Sequence, residues 1–325
     1  MEIVKIEGLN PLEYEHPLDK KGLDMLEKTP GLDFLVKKFY ELGVQKSLRF
    51  NFVGSNLKVT PSSLPDIYEV LENTCEILNL RETPEFYVRH DNYTSQIQPV
   101  ANNLQGITIG VDHPLIVIST ECIESFSSSE LSFVLGSEIG RIKSRHILYS
   151  NIAGLLPIIS GLMAGITLGV NLTAPVMNGL NIALTQWYRW SEFTVDRAGL
   201  LACQDLKTAM MVMAKIAGLP KHYFASFDVD DFIIQAREYE GFGDSSYDKI
   251  LKVFSLFSKS HAFTISRANE LLKWVDSGEY QAVLERKTKI NLPPPVSFCR
   301  HCGSKLESSS NTFCPKCGQR ISDQN

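Results

Sequence analysis

Between His146 and Arg189 the chain carries no Asp, Glu, Lys or Arg, and from Ile152 to Val170 it is almost wholly apolar or Gly, Ser and Thr. Such a stretch has to be covered, by lipid or by the rest of the protein. It is long enough for a membrane span, but Pro157 interrupts it, and Asn171, Pro175, Asn178 and Asn181 make its second half polar. Lys143, Arg145 and Tyr149 stand before it and Trp187, Tyr188, Arg189 and Trp190 after it. That flanking suits a membrane hairpin of residues 147–187 with both ends on the cytoplasmic side. The same residues suit a buried or oligomer-forming helical hairpin in a soluble protein, and hydropathy alone does not separate the two.

The 325 residues, 44% of them apolar, are enough for about two domains with a sizeable core. A formal charge of -5 and a pI near 5.9 create no basic field, so nucleic acid is not expected as a partner. The N-terminal MEIVKIEGLNPLEYEHPLDK lacks the basic start and apolar core of a signal peptide. Cys75, Cys122 and Cys203 stand singly in apolar stretches, as buried thiols of a reducing compartment do. The expected location is cytoplasmic, with membrane association on that side if the hairpin inserts.

Residues 1–62 read as an N-terminal helical arm, with Phe34, Leu35, Phe39 and Leu42 at helical spacing before Gly43. A helix from Leu64 to about Leu80 follows, capped by Ser62 or Ser63. Glu85–Arg89, Ile107–Val111 and Leu115–Ile118 are short apolar runs broken by Asn, Gly and Pro, which predicts a small antiparallel sheet. Ser127 and Glu130 form a capping box ahead of a helix through Leu131, Val134, Leu135, Glu138, Ile139 and Ile142. Further helices are expected over Gln186–Leu201, Leu206–Ala217, Tyr247–Lys259 and Ser266–Val275. The run Asn291-Leu292-Pro293-Pro294-Pro295 makes residues 288–297 a stiff linker.

Beyond that linker, residues 298–321 hold Phe298-Cys299-Arg300-His301-Cys302-Gly303 and Phe313-Cys314-Pro315-Lys316-Cys317-Gly318. Each CxxC puts two thiolates on one side of a tight turn, and four thiolates complete a tetrahedral structural zinc site. The module resembles the short zinc ribbons appended to many bacterial and archaeal proteins. Its few basic residues favour a protein-binding or tethering role over nucleic acid.

The capped helix carries Ser137-Glu138-Ile139-Gly140-Arg141, followed after a basic turn by His146. A later segment reads Ser191-Glu192-Phe193-Thr194-Val195-Asp196-Arg197-Ala198-Gly199, and a third His261-Ala262-Phe263-Thr264-Ile265-Ser266-Arg267. In this order, with the apolar hairpin between the first two, they resemble the three motifs of the HtpX-like and CAAX-prenyl-protease-type zinc metallopeptidases. Those are gluzincins with His-Glu-x-x-His on one helix. The resemblance covers residues 60–285 and implies an α+β, mainly helical metallopeptidase-like domain over residues 63–287. It implies Glu138 as general base, positions 137, 141 and 192 as zinc-ligand positions with Asp196 four residues on, and His261 and Arg267 on the far cleft wall.

The departures bear on chemistry. Histidines at i and i+4 share a helix face and hold zinc while the intervening Glu activates its water. Position 137 is Ser, a poor ligand, and position 141 is Arg, which cannot be deprotonated to ligate. Glu192 alone cannot hold a catalytic zinc, and His146 falls on another face, as a core or surface histidine. The leading reading is a non-catalytic relative without a catalytic zinc, a peptide- or protein-binding or scaffolding protein that keeps the cleft and its edge strand for holding an extended peptide by strand addition. An active endopeptidase with a non-standard metal site and a membrane-anchored assembly component are the alternatives, and homo-oligomerisation stays open. Arg141 is expected to take over the charge of the missing metal by reaching Glu138 or Glu192.

Overall fold

The computed structural model describes residues 3–90, 104–164, 174–239 and 262–286 and, at the C-terminal end, 297–299, 304–306, 314, 316, 317 and 319. The expected helix over Tyr247–Lys259 lies outside the described residues. From the N-terminus come α1 (Pro17–Glu27), α2 (Leu32–Glu41), α3 (Val44–Ser55), β1 (Leu57–Val59) and α4 (Pro65–Ile77). Next are β2 (Glu85–Arg89), β3 (Ile107–Ile109), β4 (Leu115–Ser119) and α5 (Thr120–Ser125). The helical part continues with α6 (Ser128–Lys143), α7 (Ile147–Ala164), α8 (Ala174–Cys203), α9 (Leu206–Ala217), α10 (Val229–Glu238), α11 (Thr264–Asp276) and α12 (Glu279–Leu284).

The four strands lie in the order β1-β2-β4-β3. The expected antiparallel sheet is mixed: β1 and β3 pair antiparallel with their neighbours, whereas β2 and β4 run parallel, Phe86 opposite Ile116 and Val88 opposite Ile118. The reason is burial on both faces. Leu115 and Val117 point into one core with Tyr87, Ile107 and Ile109; Ile116 and Ile118 point into the other with Phe86. A strand covered on both sides reads as a continuous apolar run and suits parallel pairing. β1 falls within the first 62 residues, so this part of the chain contributes a strand as well as helices.

One core gathers α4, α6, the second half of α8, α9 and α11. The other gathers α1, α2, α3, the start of α7 and the first half of α8 around Trp187. Leu148, Tyr149, Ile152 and Leu156 of α7 are buried there against protein. Among the described residues no helix is long and apolar enough to cross a membrane.

Local signals explain most boundaries. Ser127 accepts from the Glu130 backbone N–H and the Glu130 side chain accepts from the Ser127 N–H, the reciprocal box read from the spacing. α4 differs: its N-cap is Leu64, with no side-chain bond, and Pro65 opens the first turn instead of the expected serine. Ser63 is engaged in a turn with Thr60 and is not free to cap.

Candidate functional site

α6 and α8 cross closely enough that a Cβ at Gly199 would stand 2.5 Å from Ser137 Oγ and 2.8 Å from the Phe133 carbonyl oxygen. A residue without a side chain is required there, and the contact brings the middle of α6 against the segment carrying Glu192 and Asp196. α11 closes the group by sending Arg267 back toward α8. Ser137, Glu138, Arg141, Glu192, Asp196 and Arg267 are all buried.

Ser137 Oγ donates to the Phe133 carbonyl at 3.0 Å, bonding back along its own helix and away from cleft chemistry. Glu138 Oε2 accepts from Thr108 Oγ1 of β3 at 2.6 Å and, more weakly, from Arg141 Nε at 3.4 Å. A Cβ at Gly106 would meet Glu138 Cγ at 2.6 Å, so a glycine just before β3 leaves room for this carboxylate. Arg141 also lies with its guanidinium carbon 5.6 Å from the centre of the Tyr188 ring. Burial opposes the charge on Arg141, but Glu138, Tyr188 and Glu192 outweigh it and hold its pKa above the ordinary value. Burial pushes the Tyr188 phenol up to about 12, with Arg141 offsetting part of the rise, so the hydroxyl is neutral at physiological pH.

Asp196 and Arg267 form a two-pronged pair, Nε to Oδ2 at 2.8 Å and Nη2 to Oδ1 at 2.6 Å. Burial raises the Asp196 carboxyl above its usual range and Arg267 pulls it part of the way back. Arg267 itself is driven upward, Asp196 and Glu192 outweighing the burial that opposes its charge. Glu192 Oε2 accepts the Ala262 backbone N–H at 2.9 Å, and its Oε1 lies 4.0 Å from Arg267. His261 lies outside the described residues. Between these side chains and the half-buried Gln105, Gly106, Ala153 and Thr185 is a cavity of about 110 Å³.

The pattern of the family described as "Peptidase family M48" matches residues 78–275. The chain belongs to this family. A curated M48 relative, "Plastoglobule-localized metallopeptidase 48, chloroplastic" of Arabidopsis thaliana, is 30% identical over 282 residues, covering 85% of this chain and 76% of that protein. No solved structure matches.

M48 metallopeptidases use zinc, and the residues at this M48 site do not fit it. A back-bonded hydroxyl stands at 137, a guanidinium at 141, and the Glu192 carboxylate is turned toward a backbone N–H and Arg267. Among the described residues, the donors gathered tightly enough to share a metal ion are Cys299, Cys314 and Cys317, all within 4.8 Å of one another. The Cys299 and Cys317 sulfurs are 3.7 Å apart. A tetrahedron with zinc–sulfur bonds of about 2.3 Å has edges of about 3.8 Å, so this spacing suits zinc. Cys302 lies outside the described residues. β5 (Ser297–Phe298) and β6 (Lys305–Leu306) pair antiparallel, and Cys299 N–H donates to Ser304 O at 2.9 Å, closing the first knuckle. Burial acts to raise the Cys314 thiol, but Ser304 Oγ and the backbone N–H groups of Cys317 and Lys316 outweigh it and bring it down to about 6, which favours the thiolate a metal needs.

The motif reading missed the side chains that hold α8 from the N-terminal side. His146 does not sit on α6: Arg145, at φ 58°, turns the chain, and His146 Nε2 comes to 3.1 Å from Asp19 Oδ2. The same Asp19 oxygen accepts from Thr194 Oγ1 at 2.6 Å, His16 N–H donates to Thr194 Oγ1, and His16 Nε2 meets Glu270 at 3.1 Å. Burial raises Asp19, but His146 and Thr194 outweigh it and the carboxyl titrates below its usual range. The His16 contact, against burial and helped by Lys273, takes Glu270 down to about 2. A depressed folded pKa stabilises above the unfolded value, about 4 for a carboxyl, and that stability is lost as pH falls through the folded pKa. Limited proteolysis is therefore expected to release the N-terminal segment increasingly as pH drops from 5 toward 2. Glu270→Gln should make release less steep with pH, and a wild-type profile flat over this range would show that the contacts do not hold the segment.

Proposed function

We infer that this M48 member does not hydrolyse peptide bonds and uses the cleft between α6, α8 and β3 to bind a peptide. The supporting observation is Arg141, a permanent cation at a zinc-ligand position, bonded to the Glu138 carboxylate that a hydrolase would use as general base. Without a metal-bound water Glu138 has no proton to take, and its oxygen is already held by Thr108. Addition of a peptide strand to β3 is the weaker form of this reading, because Ile107, Thr108 and Ile109 are all buried. The cavity beside Arg141 is the better place.

The test is Ser137→His with Arg141→His. If the metal positions are otherwise intact, the double variant should bind one more zinc per chain than wild type and gain weak, chelator-sensitive peptidase activity. Wild type that cleaves peptides with two zinc ions per chain would refute the reading and favour an active enzyme with an unusual metal site.

A lipid-surface location is a second reading. The Arabidopsis relative is named for plastoglobules, and Phe50, 80% exposed, stands with exposed Val53 on α3. Flotation with lipid vesicles in a density gradient checks it: the protein should rise with the lipid, Phe50→Ser should weaken that association, and a wild-type protein left at the bottom of the gradient would refute the reading.

A further inference from the structure

The two faces of α3 differ in cover. Leu48 and Phe52 are buried in the core around Trp187, and Gln45 shares their stripe. On the opposite face Phe50 is 80% exposed and Val53 41%, and Leu57, where the chain leaves the helix for β1, is 59% exposed. Lys46, also exposed, stands with Phe50 and Val53 at i, i+4 and i+7, which makes one outward stripe. Single apolar side chains on a surface need no explanation, but adjoining ones this exposed mark a contact.

Charge selects the partner. From Leu42 to Pro65 the chain holds Lys46, Arg49 and Lys58 and no Asp or Glu, although its net charge is -5. Glu85 of β2 faces this group, 2.6 Å from Arg49 and 3.7 Å from Lys58. Asp112 meets the helix through Gln45, on the inner side, and Glu41 is held by Lys37 and Lys38. Three cations against the one carboxylate leave an excess of two positive charges beside the apolar stripe. A ring standing this clear of its own protein needs a matching pocket on a protein partner. A lipid layer accepts it at any angle, and anionic headgroups supply the counter-charge. The exposed Ser47, Asn51 and Ser55 complete the face with short neutral groups suited to headgroup level.

We propose that α3 docks on an anionic phospholipid layer, Phe50, Val53 and Leu57 entering the acyl boundary while Lys46 and Lys58 meet the headgroup phosphates. The inference rests on the lipid-surface reading and deepens it, naming the face that docks and the charge of the lipid. The contact is peripheral: the ring and two aliphatic side chains enter, and the helix itself stays packed on the core.

The probes are vesicles of phosphatidylcholine alone and of phosphatidylcholine with about one-third phosphatidylglycerol, titrated against the full chain. The anionic vesicles should bind at least about tenfold more tightly at low ionic strength and lose most of that advantage in about 1 M salt, where the screening length falls to about 3 Å. Lys46→Glu should weaken binding to the anionic vesicles about tenfold and leave the neutral ones unchanged. Phe50→Ser should weaken both by about tenfold. Both substitutions are at exposed positions, so the variants should fold. Equal affinity for the two vesicle types overturns the proposal and leaves the lipid-surface reading standing; binding to neither overturns both. Full-strength binding by Phe50→Ser puts the contact elsewhere and overturns the proposal as well. So does a wild-type dimer that binds no vesicle and that Phe50→Ser converts to a monomer, since the stripe then belongs to a second copy of this chain.

Discussion

Arg267→Met is expected to destabilise the fold by about 3–5 kcal/mol, because it leaves the Asp196 carboxylate buried without its two-pronged partner and removes a cation 4.0 Å from Glu192. Urea unfolding at neutral pH measures the loss. The variant should recover part of it in mild acid. With Arg267 gone, only the smaller pull of Arg141 is left against the burial that raises Asp196, and a carboxyl whose folded pKa lies above its unfolded value destabilises at high pH and ceases to do so once protonated. Combining Arg267→Met with Asp196→Leu should cost much less than the two separate changes added together, since a buried ion pair replaced by apolar groups loses little. Additive losses would mean that the pair is not the unit that stabilises the α8–α11 contact.

Cys314→Ser with Cys317→Ser is expected to abolish zinc binding by the C-terminal module and unfold it, removing on the order of 10 kcal/mol of metal-coupled folding free energy. The M48 domain should keep its thermal transition. Lys316 lies 3.0 Å from Asp33 at an exposed pair, and such a pair contributes little. Metal analysis together with calorimetry checks both parts; a large fall in the main transition would show that the module and the M48 domain fold as one unit.

What the chain disclosed about itself depended on the range of the interaction. α6 was legible because its signals are local: the Ser127 and Glu130 box, then apolar residues at helical spacing. The short apolar runs marked β2, β3 and β4, but their directions did not follow, since pairing Phe86 with Ile116 is set by what covers both faces of the sheet. The motif residues Glu138, Arg141, Glu192, Asp196 and Arg267 do share one region, although motif spacing could not say how each would pair. Arg141 leans on Glu138, three residues back on the same helix, while Glu192 on the neighbouring helix turns to the Ala262 N–H. Asp19 and His16 gave no signal at all. Their partners lie on α8 and α11 and at the start of α7, and no spacing rule spans that interval.

That interval governs the order in which the molecule assembles. The His16 to Thr194 bond joins residues 178 apart in sequence and the Asp19 to Thr194 bond residues 175 apart. Contacts of such separation form only after loop closure has cost its entropy, which makes them slow to appear and a natural last step. The α6–α8 crossing must already exist for Thr194 to be presented. On the ribosome α1 thus finds its place late: it emerges long before α8 and has to wait, with its apolar side uncovered, until the 175 residues that separate Asp19 from Thr194 have been synthesised.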